Sequence, residues 1–161
     1  MRRQQVVVER PVRAATSLRV CCGAWALKER ITSSNPQPLA NYSEAFRVGP
    51  LVFAAGQLAS DFRTGIAVEA RLDPAFPYYG SAIKKQTRYV LNNIKNTLQA
   101  AGSSLDRVVK ATVMLADMAE WAEMNSVYVT YFKGRLPARS AMGVNGLARG
   151  ARVEIECIAV V

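Results

Sequence analysis

Near the end of the 161-residue sequence, Pro137-Ala138-Arg139-Ser140 is followed by Arg152-Val153-Glu154-Ile155-Glu156, which sets one arginine and one carboxylate at the edges of what read as two adjacent strands. Arginine presents a rigid fork of donors that matches a carboxylate bidentately, and it keeps its charge at any working pH. A glutamate within reach can take a proton from water and return it to a leaving amine. Arg139 and Glu154 are therefore candidates to hold an acidic small molecule and to activate a water beside it. As a plain surface ion pair the same two side chains would be worth under ~1 kcal/mol, so the spacing alone leaves both readings open.

The rest of the composition narrows the chemistry. The chain contains no histidine, which removes Ser/His/Asp and Cys/His nucleophilic schemes, histidine metal sites and histidine acid/base ribonuclease chemistry. Catalysis must run on carboxylates, arginine, tyrosine, backbone groups and water. Cys21, Cys22 and Cys157 form neither a metal spacing nor a disulfide framework, and they suit a reducing compartment. Neither the dinucleotide nor the P-loop glycine spacing occurs, so no cofactor and no metal are indicated. Of the net charge of +9, residues 1–35 supply +5: Arg2, Arg3, Arg10, Arg13, Arg19, Lys28 and Arg30 stand against Glu9 and Glu29. The remaining +4 is compatible with an acidic small molecule. Nucleic acid is not the first choice, because no basic stripe interleaved with aromatics is present.

Half the residues are apolar, enough for one core but few for two. No apolar run approaches the ~20 residues of a membrane span. The pattern predicts a short strand at Glu29–Thr32, then strands at Ala45–Val48 and Leu51–Ala55 joined through Gly49-Pro50. A long loop from Ser60 to Gly80 follows. A helix over Ala82–Ala101 has Ser81 as N-cap, Gly102 as stop, and Ile83, Val90, Leu91, Ile94 and Leu98 on one face. After a β-rich run, Arg107–Leu115, a second helix is expected to start at Asp117 with Glu120 as its capping partner. Trp121, Met124, Tyr128, Tyr131 and Phe132 read as its buried stripe. Strands at Ser140–Val144 and Arg152–Val160 close the chain around a Gly-containing turn. Both helices should lie on one face of the sheet, and the last strand is apolar on both sides, so the bare face calls for a second subunit.

Seven short stretches occur in a telling order: Asn41-Tyr42-Ser43-Glu44-Ala45, Val52-Phe53-Ala54-Ala55-Gly56-Gln57, Gln86-Thr87 leading into Asn92-Asn93-Ile94, Ala101-Gly102-Ser103-Ser104-Leu105, Asn125 with Tyr128, Pro137 to Ser140, and Val153-Glu154-Ile155-Glu156. From about Leu27 to Val161 the series resembles the RidA/YjgF family of small imine and enamine deaminases. The resemblance implies an α+β, chorismate-mutase-like single domain, a mixed sheet with two helices packed on one face, assembled as a homotrimer with clefts between subunits. It implies hydrolysis of 2-imino acids to 2-keto acids and ammonia, with Arg139 clamping the substrate carboxylate and Glu154 acting as acid/base on water. Tyr42, Gly56, Asn125 and the backbone of Ala141 become substrate-side or supporting positions. Ala141 stands where a cysteine is frequent in the family, Ala40-Asn41 where Gly-Pro is common, and the Gly65–Gly80 loop is longer than in the shortest members.

Two other readings stay open at this level: a non-enzymatic trimer that binds small keto acids through Arg139, and an RNA-directed translation inhibitor. Residues 1–26 form a basic extension outside the resemblance, expected to be disordered or targeting, ahead of a domain at 27–161. A cytoplasmic location is expected, or an organelle if that extension is a transit peptide.

Overall fold

A computed structural model describes residues 28–75 and 80–161. The expectations for residues 1–26, and for positions 76–79 of the Ser60–Gly80 loop, fall outside the described residues. The elements run β1 (Glu29–Ile31), β2 (Ala45–Val48), β3 (Leu51–Leu58), α1 (Ala82–Ala100), β4 (Val108–Leu115), α2 (Trp121–Tyr131), β5 (Ala138–Gly143) and β6 (Val153–Val160). Among the described residues no helix is long and apolar enough to cross a membrane.

α1 forms where its caps and its stripe agree. Ser81 Oγ accepts from the Lys84 N–H at 3.3 Å, and Ile83, Val90, Leu91, Ile94 and Leu98 are all buried. At the far end Gly102 takes φ 77°, the Gly102 N–H donates to Gln99 O and the Ser103 N–H to Leu98 O. That paired reversal satisfies the last carbonyls and turns the chain back toward the sheet.

The six strands lie in the order β1-β2-β3-β6-β4-β5, and only β4 and β5 are parallel. The sequence reading set the last two strands side by side; in the structure β4 separates β5 from β6. The reason lies in how the connection is tied. Val144 N–H donates to Leu115 O and Ala116 N–H donates to Arg152 O, so the 144–152 segment passes over the end of β4 and delivers β6 to its other edge. α2 is the crossover that parallel pairing of β4 with β5 requires.

Both helices cover one face, as expected. Val52, Ala111, Val113, Leu115, Val153, Ile155 and Ala159 point to it and are buried. Among the described residues no helix packs on the other face, where Phe53 and Met142 are exposed and Ile158 and Val160 half-buried. β6 thus carries apolar side chains on both sides, but Lys110, Thr112 and Glu156 make the open face more polar than an all-apolar layer.

The start of α2 differs from the expected capping box. Asp117 Oδ1 accepts from the Ala119 N–H at 2.8 Å and caps a single 3₁₀ turn, Met118–Glu120, after which α2 begins at Trp121. Glu120 does not reach back; its Oε1 takes Arg152 Nη1 at 2.6 Å. The buried stripe is Met124, Val127, Tyr128 and Phe132, whereas Trp121 is 37% exposed and Tyr131 half-buried. Trp121 starts the helix at the sheet edge, beyond the core.

One buried carboxylate fixes the loop between β1 and β2 to α1. Glu44 is 4% exposed and accepts from Ser33 N–H at 2.9 Å, Ser33 Oγ at 2.6 Å, Asn35 Nδ2 at 2.8 Å and the Thr97 hydroxyl. Asn35 Nδ2 also donates to Asn93 O at 2.9 Å, and its Oδ1 accepts from Asn96 Nδ2 at 3.0 Å. Burial alone would raise the Glu44 pKa, but the donors from Ser33, Thr97 and Asn35 outweigh it and hold the pKa below its ordinary 4.5. A depressed carboxylate contributes stability that is full above the ordinary value and lost as pH falls through the folded one. Glu44→Gln is therefore expected to cost about 2 kcal/mol at pH 7, and the gap in melting temperature should close as pH is lowered below 4.5. A gap independent of pH would show that the charge is not what holds the loop.

Candidate active site

Arg139 lies on the edge strand β5 and pairs in register with Ala111, which in turn pairs with Cys157. Side chains directly opposite in a sheet share a face, so Arg139 points to the helix side with these two buried neighbours. α2 receives it there. Arg139 Nη1 donates to Asn125 Oδ1 at 2.8 Å, and the guanidinium carbon sits 4.5 Å from the Tyr128 ring centroid and 5.8 Å from that of Trp121. Trp121, Asn125 and Tyr128 follow helical spacing on one face of α2. A cation over two aromatic faces is held without consuming its in-plane donors, and among the described residues Nε and Nη2 make no hydrogen bond. They border a cleft of about 260 Å³ lined by Asn125, Tyr128, Phe132, Leu136, Pro137 and Arg139 among others. Burial pushes the Tyr128 hydroxyl up to about 12, against the opposing pull of Arg139, so this ring stays neutral beneath the cation. Ala141, two residues on, falls on the same face of β5 and packs against the core.

Glu154 lies elsewhere. It pairs with Met114 on one side and Leu58 on the other, and it alternates with the core residues Val153 and Ile155, which places it on the open face. The strand beside it is shaped to take it. Between Ala54 and Gln57 the β3–β6 register shifts, a bulge of the kind that re-aims side chains next to functional sites. Gly56 sits in that bulge, and a Cβ there would stand 1.8 Å from Glu154 Oε1. Glycine is required for space, since the carboxylate occupies the volume of the missing side chain.

Among the described residues the Glu154 carboxylate receives no hydrogen bond. Burial raises its pKa, and the charge of Glu156 raises it further. Tyr42, 45% exposed on the anchored loop, completes this half; burial, then the charges of Glu154 and Glu44, raise its pKa. A half-buried carboxylate with unused lone pairs and a raised pKa has the properties of a general base.

Of the residues singled out in the sequence, the chain brings Arg139, Asn125 and Ala141 together on the helix face, and Glu154, Gly56 and Tyr42 together on the other. It does not bring the two sets together. Three participants escaped the sequence reading. Tyr128 and Trp121 read as core but serve as the platform for Arg139; their spacing with Asn125 was the available signal. Glu156 has no motif to announce its effect on Glu154, and alternation along β6 alone places it on the same face.

A six-stranded sheet with two helices on one face, an arginine held at its edge strand and a half-buried carboxylate against a bulge glycine define a small α+β domain. The family described as Endoribonuclease L-PSP matches residues 32–161, and the chain belongs to that family, the RidA/YjgF group. It is 44% identical over 134 residues to a RutC family protein of Pyrococcus horikoshii, covering 83% of this chain and 98% of the relative. It is 38% identical over 129 residues to the mouse 2-iminobutanoate/2-iminopropanoate deaminase, covering 80% and 87% respectively. The solved structure of E. coli TdcF with bound serine is similar at a TM-score of 0.70 and 29% identity, over 83% of this chain and 99% of that one.

The close approach at Gly56 yields a direct expectation. In Gly56→Ala the new methyl must drive the Glu154 carboxyl out toward solvent, so its pKa should fall back toward 4.5. Side-chain carboxyl titration by NMR reads this. A wild-type Glu154 that already titrates at or below the ordinary value would contradict the environment described here.

Proposed function

We propose that the chain is a hydrolytic deaminase of 2-imino and 2-enamino acids, working as a homotrimer whose sites form between subunits. The observation that carries the reading is the Glu154 carboxylate, half-buried, without a donor and raised in pKa against Gly56, in a chain that also holds an arginine with free donors at a cleft. The names of the mouse relative and of the serine-bound structure support a substrate with an amino-acid skeleton.

The chemistry asks little of the protein. Arg139 takes the substrate carboxylate bidentately and fixes the imine carbon. Glu154 removes a proton from a water as its oxygen bonds to the carbon of the protonated imine, giving a neutral carbinolamine. Glu154 returns that proton to the nitrogen, the hydroxyl proton passes back to Glu154 as the C–N bond breaks, ammonia leaves, and the hydroxyl oxygen becomes the carbonyl of the 2-keto acid. An imine carbon is already electrophilic, so no covalent intermediate with a side chain is needed. Tyr42, near enough to feel the charge of Glu154, would screen the water from bulk.

One sheet cannot present Arg139 and Glu154 to the same molecule, because they lie on its opposite faces. A second copy that sets its β5 edge against the open face resolves this, and closed rotational symmetry repeats the contact. Phe53 and Met142, exposed on that face, suit burial in such a contact. Among the open alternatives, a pure binder of keto acids needs Arg139 but not an unpaired carboxylate. The word endoribonuclease in the family description finds little support in the site, since the sequence has no histidine and Glu154 would repel a phosphate.

Two variants test the assignment in a coupled assay in which an amino acid oxidase supplies imine and keto acid release is followed. Arg139→Lys keeps the charge but loses the fork, and most of the turnover should go with it. Glu154→Gln should bind a keto acid as well as wild type yet turn over about 10²-fold more slowly. Because burial raises the Glu154 pKa, its ionisation opposes folding as pH rises above the ordinary glutamate value. Glu154→Gln is thus expected to melt no lower than wild type at pH 7. Loss of keto acid binding together with a lower melting temperature would make Glu154 structural.

A further inference from the structure

A larger cleft, of about 510 Å³, opens between the loop after β3 and the first turn of α1. It shares no lining residue with the Arg139 cleft or with the Tyr42–Gly56–Glu154 group. Thr64, Ile66, Arg71, Leu72, Gln86 and Arg149 carry its chemistry. Both guanidinium groups are pinned from behind. Arg71 donates through Nε to Ile66 O at 2.6 Å and through Nη2 to Thr64 Oγ1 at 3.3 Å, and Arg149 donates through Nη2 to Phe62 O at 3.1 Å. The Arg71 backbone is held as well, its carbonyl accepting from Lys85 Nζ at 2.8 Å.

Three sets of donors remain without acceptors among the described residues: Nη1 of Arg71, Nε and Nη1 of Arg149, and Nε2 of Gln86. The last is the most telling. Gln86 is 5% exposed, and its Oε1 is engaged by the Arg152 N–H at 2.8 Å, which fixes the amide and turns Nε2 away from that contact. Nε2 is not among the buried polar atoms without a partner, so it is a fixed donor at the accessible surface of the cleft. Among the described residues no carboxylate lines the cleft, while Ile66, Leu72, Ala70 and Ala82 give it apolar walls. Phe62 and Arg149 are also the non-glycine residues with positive φ among the described residues, both at 61°, and the Arg149–Phe62 hydrogen bond joins them. Backbone conformations of this kind persist where surrounding structure enforces them.

We propose that this cleft is a binding site for a small organic acid. The carboxylate would be taken by Arg71, Arg149 and Gln86 Nε2, and the apolar body would lie against Ile66 and Leu72. Two preset guanidinium groups match a carboxylate's acceptor geometry, and the cleft volume falls in the usual range for small-molecule sites. The proposal does not depend on deaminase activity, because its readout is binding rather than turnover.

The test titrates the full chain with benzoate, inorganic phosphate and benzyl alcohol while backbone amides are followed by NMR. Benzoate is expected to shift the amides of residues 64–72, Gln86 and Arg149, with phosphate and benzyl alcohol at least ~10-fold weaker there because each lacks one half of the recognition. Arg149→Gly should keep the fold, since glycine adopts φ 61° without strain, and should weaken benzoate about 10-fold. Arg71→Gln should do the same, and Arg139→Lys should leave these shifts unchanged. Benzoate shifts confined to Asn125 and Arg139 would overturn the proposal. So would equal affinity for phosphate or benzyl alcohol, or benzoate affinity unchanged in both Arg71→Gln and Arg149→Gly.

Discussion

Side chains alternate across a β-sheet, and paired residues on neighbouring strands share a face. That constraint governs the functional logic of this chain. Arg139 shares its row with Ala111 and Cys157 beneath the helices, while Glu154 shares its row with Met114 on the open side. Rotamer changes cannot carry a side chain through a hydrogen-bonded sheet, so the two groups cannot meet within one protomer. The sheet separates the proposed anion clamp from the proposed general base, and a second copy becomes part of the proposed mechanism.

Each half is preorganised by a different device. On the helix side, stacking on Tyr128 and Trp121 and one hydrogen bond donated to Asn125 Oδ1 fix the guanidinium while leaving donors for a ligand. Exposed, a cation–π contact is worth about 0.5–1 kcal/mol, and more as it is desolvated. On the open side, the bulge at Ala55–Gly56 removes a side chain where the Glu154 carboxylate lies, and the Glu44 network fastens the loop that carries Tyr42 to α1. The two glutamates show how environment divides roles. Glu44 is surrounded by donors and held ionised, whereas Glu154 has none among the described residues and is pushed toward its neutral form.

Much of this was legible in the residues. Helical spacing and the Ser81 and Gly102 caps place α1 to within a residue, and Arg139, Glu154, Tyr42, Gly56, Asn125 and Ala141 stand out in the sequence as candidates for the site. Strand order was not legible, because parallel pairing of β4 with β5 is decided by where α2 packs and by the backbone bonds of Val144 and Ala116. The separation of Arg139 from Glu154 was hidden for the same reason: alternation assigns faces only once register is known. Trp121 shows a further limit. Its spacing fits a core stripe, but it lies at the sheet edge, and there the same spacing makes a platform for a cation.

The account's central claim is that Arg139 of one subunit and Glu154 of another complete each site. Subunit mixing tests it most directly. The Arg139→Lys and Glu154→Gln variants are each expected to be nearly inactive on their own. Unfolded and refolded together in equal amounts, they should recover about a quarter of wild-type turnover, the fraction of interfaces that unite an intact Arg139 with an intact Glu154. Mixed assemblies that form but show only the activity of the separate variants would contradict the shared site.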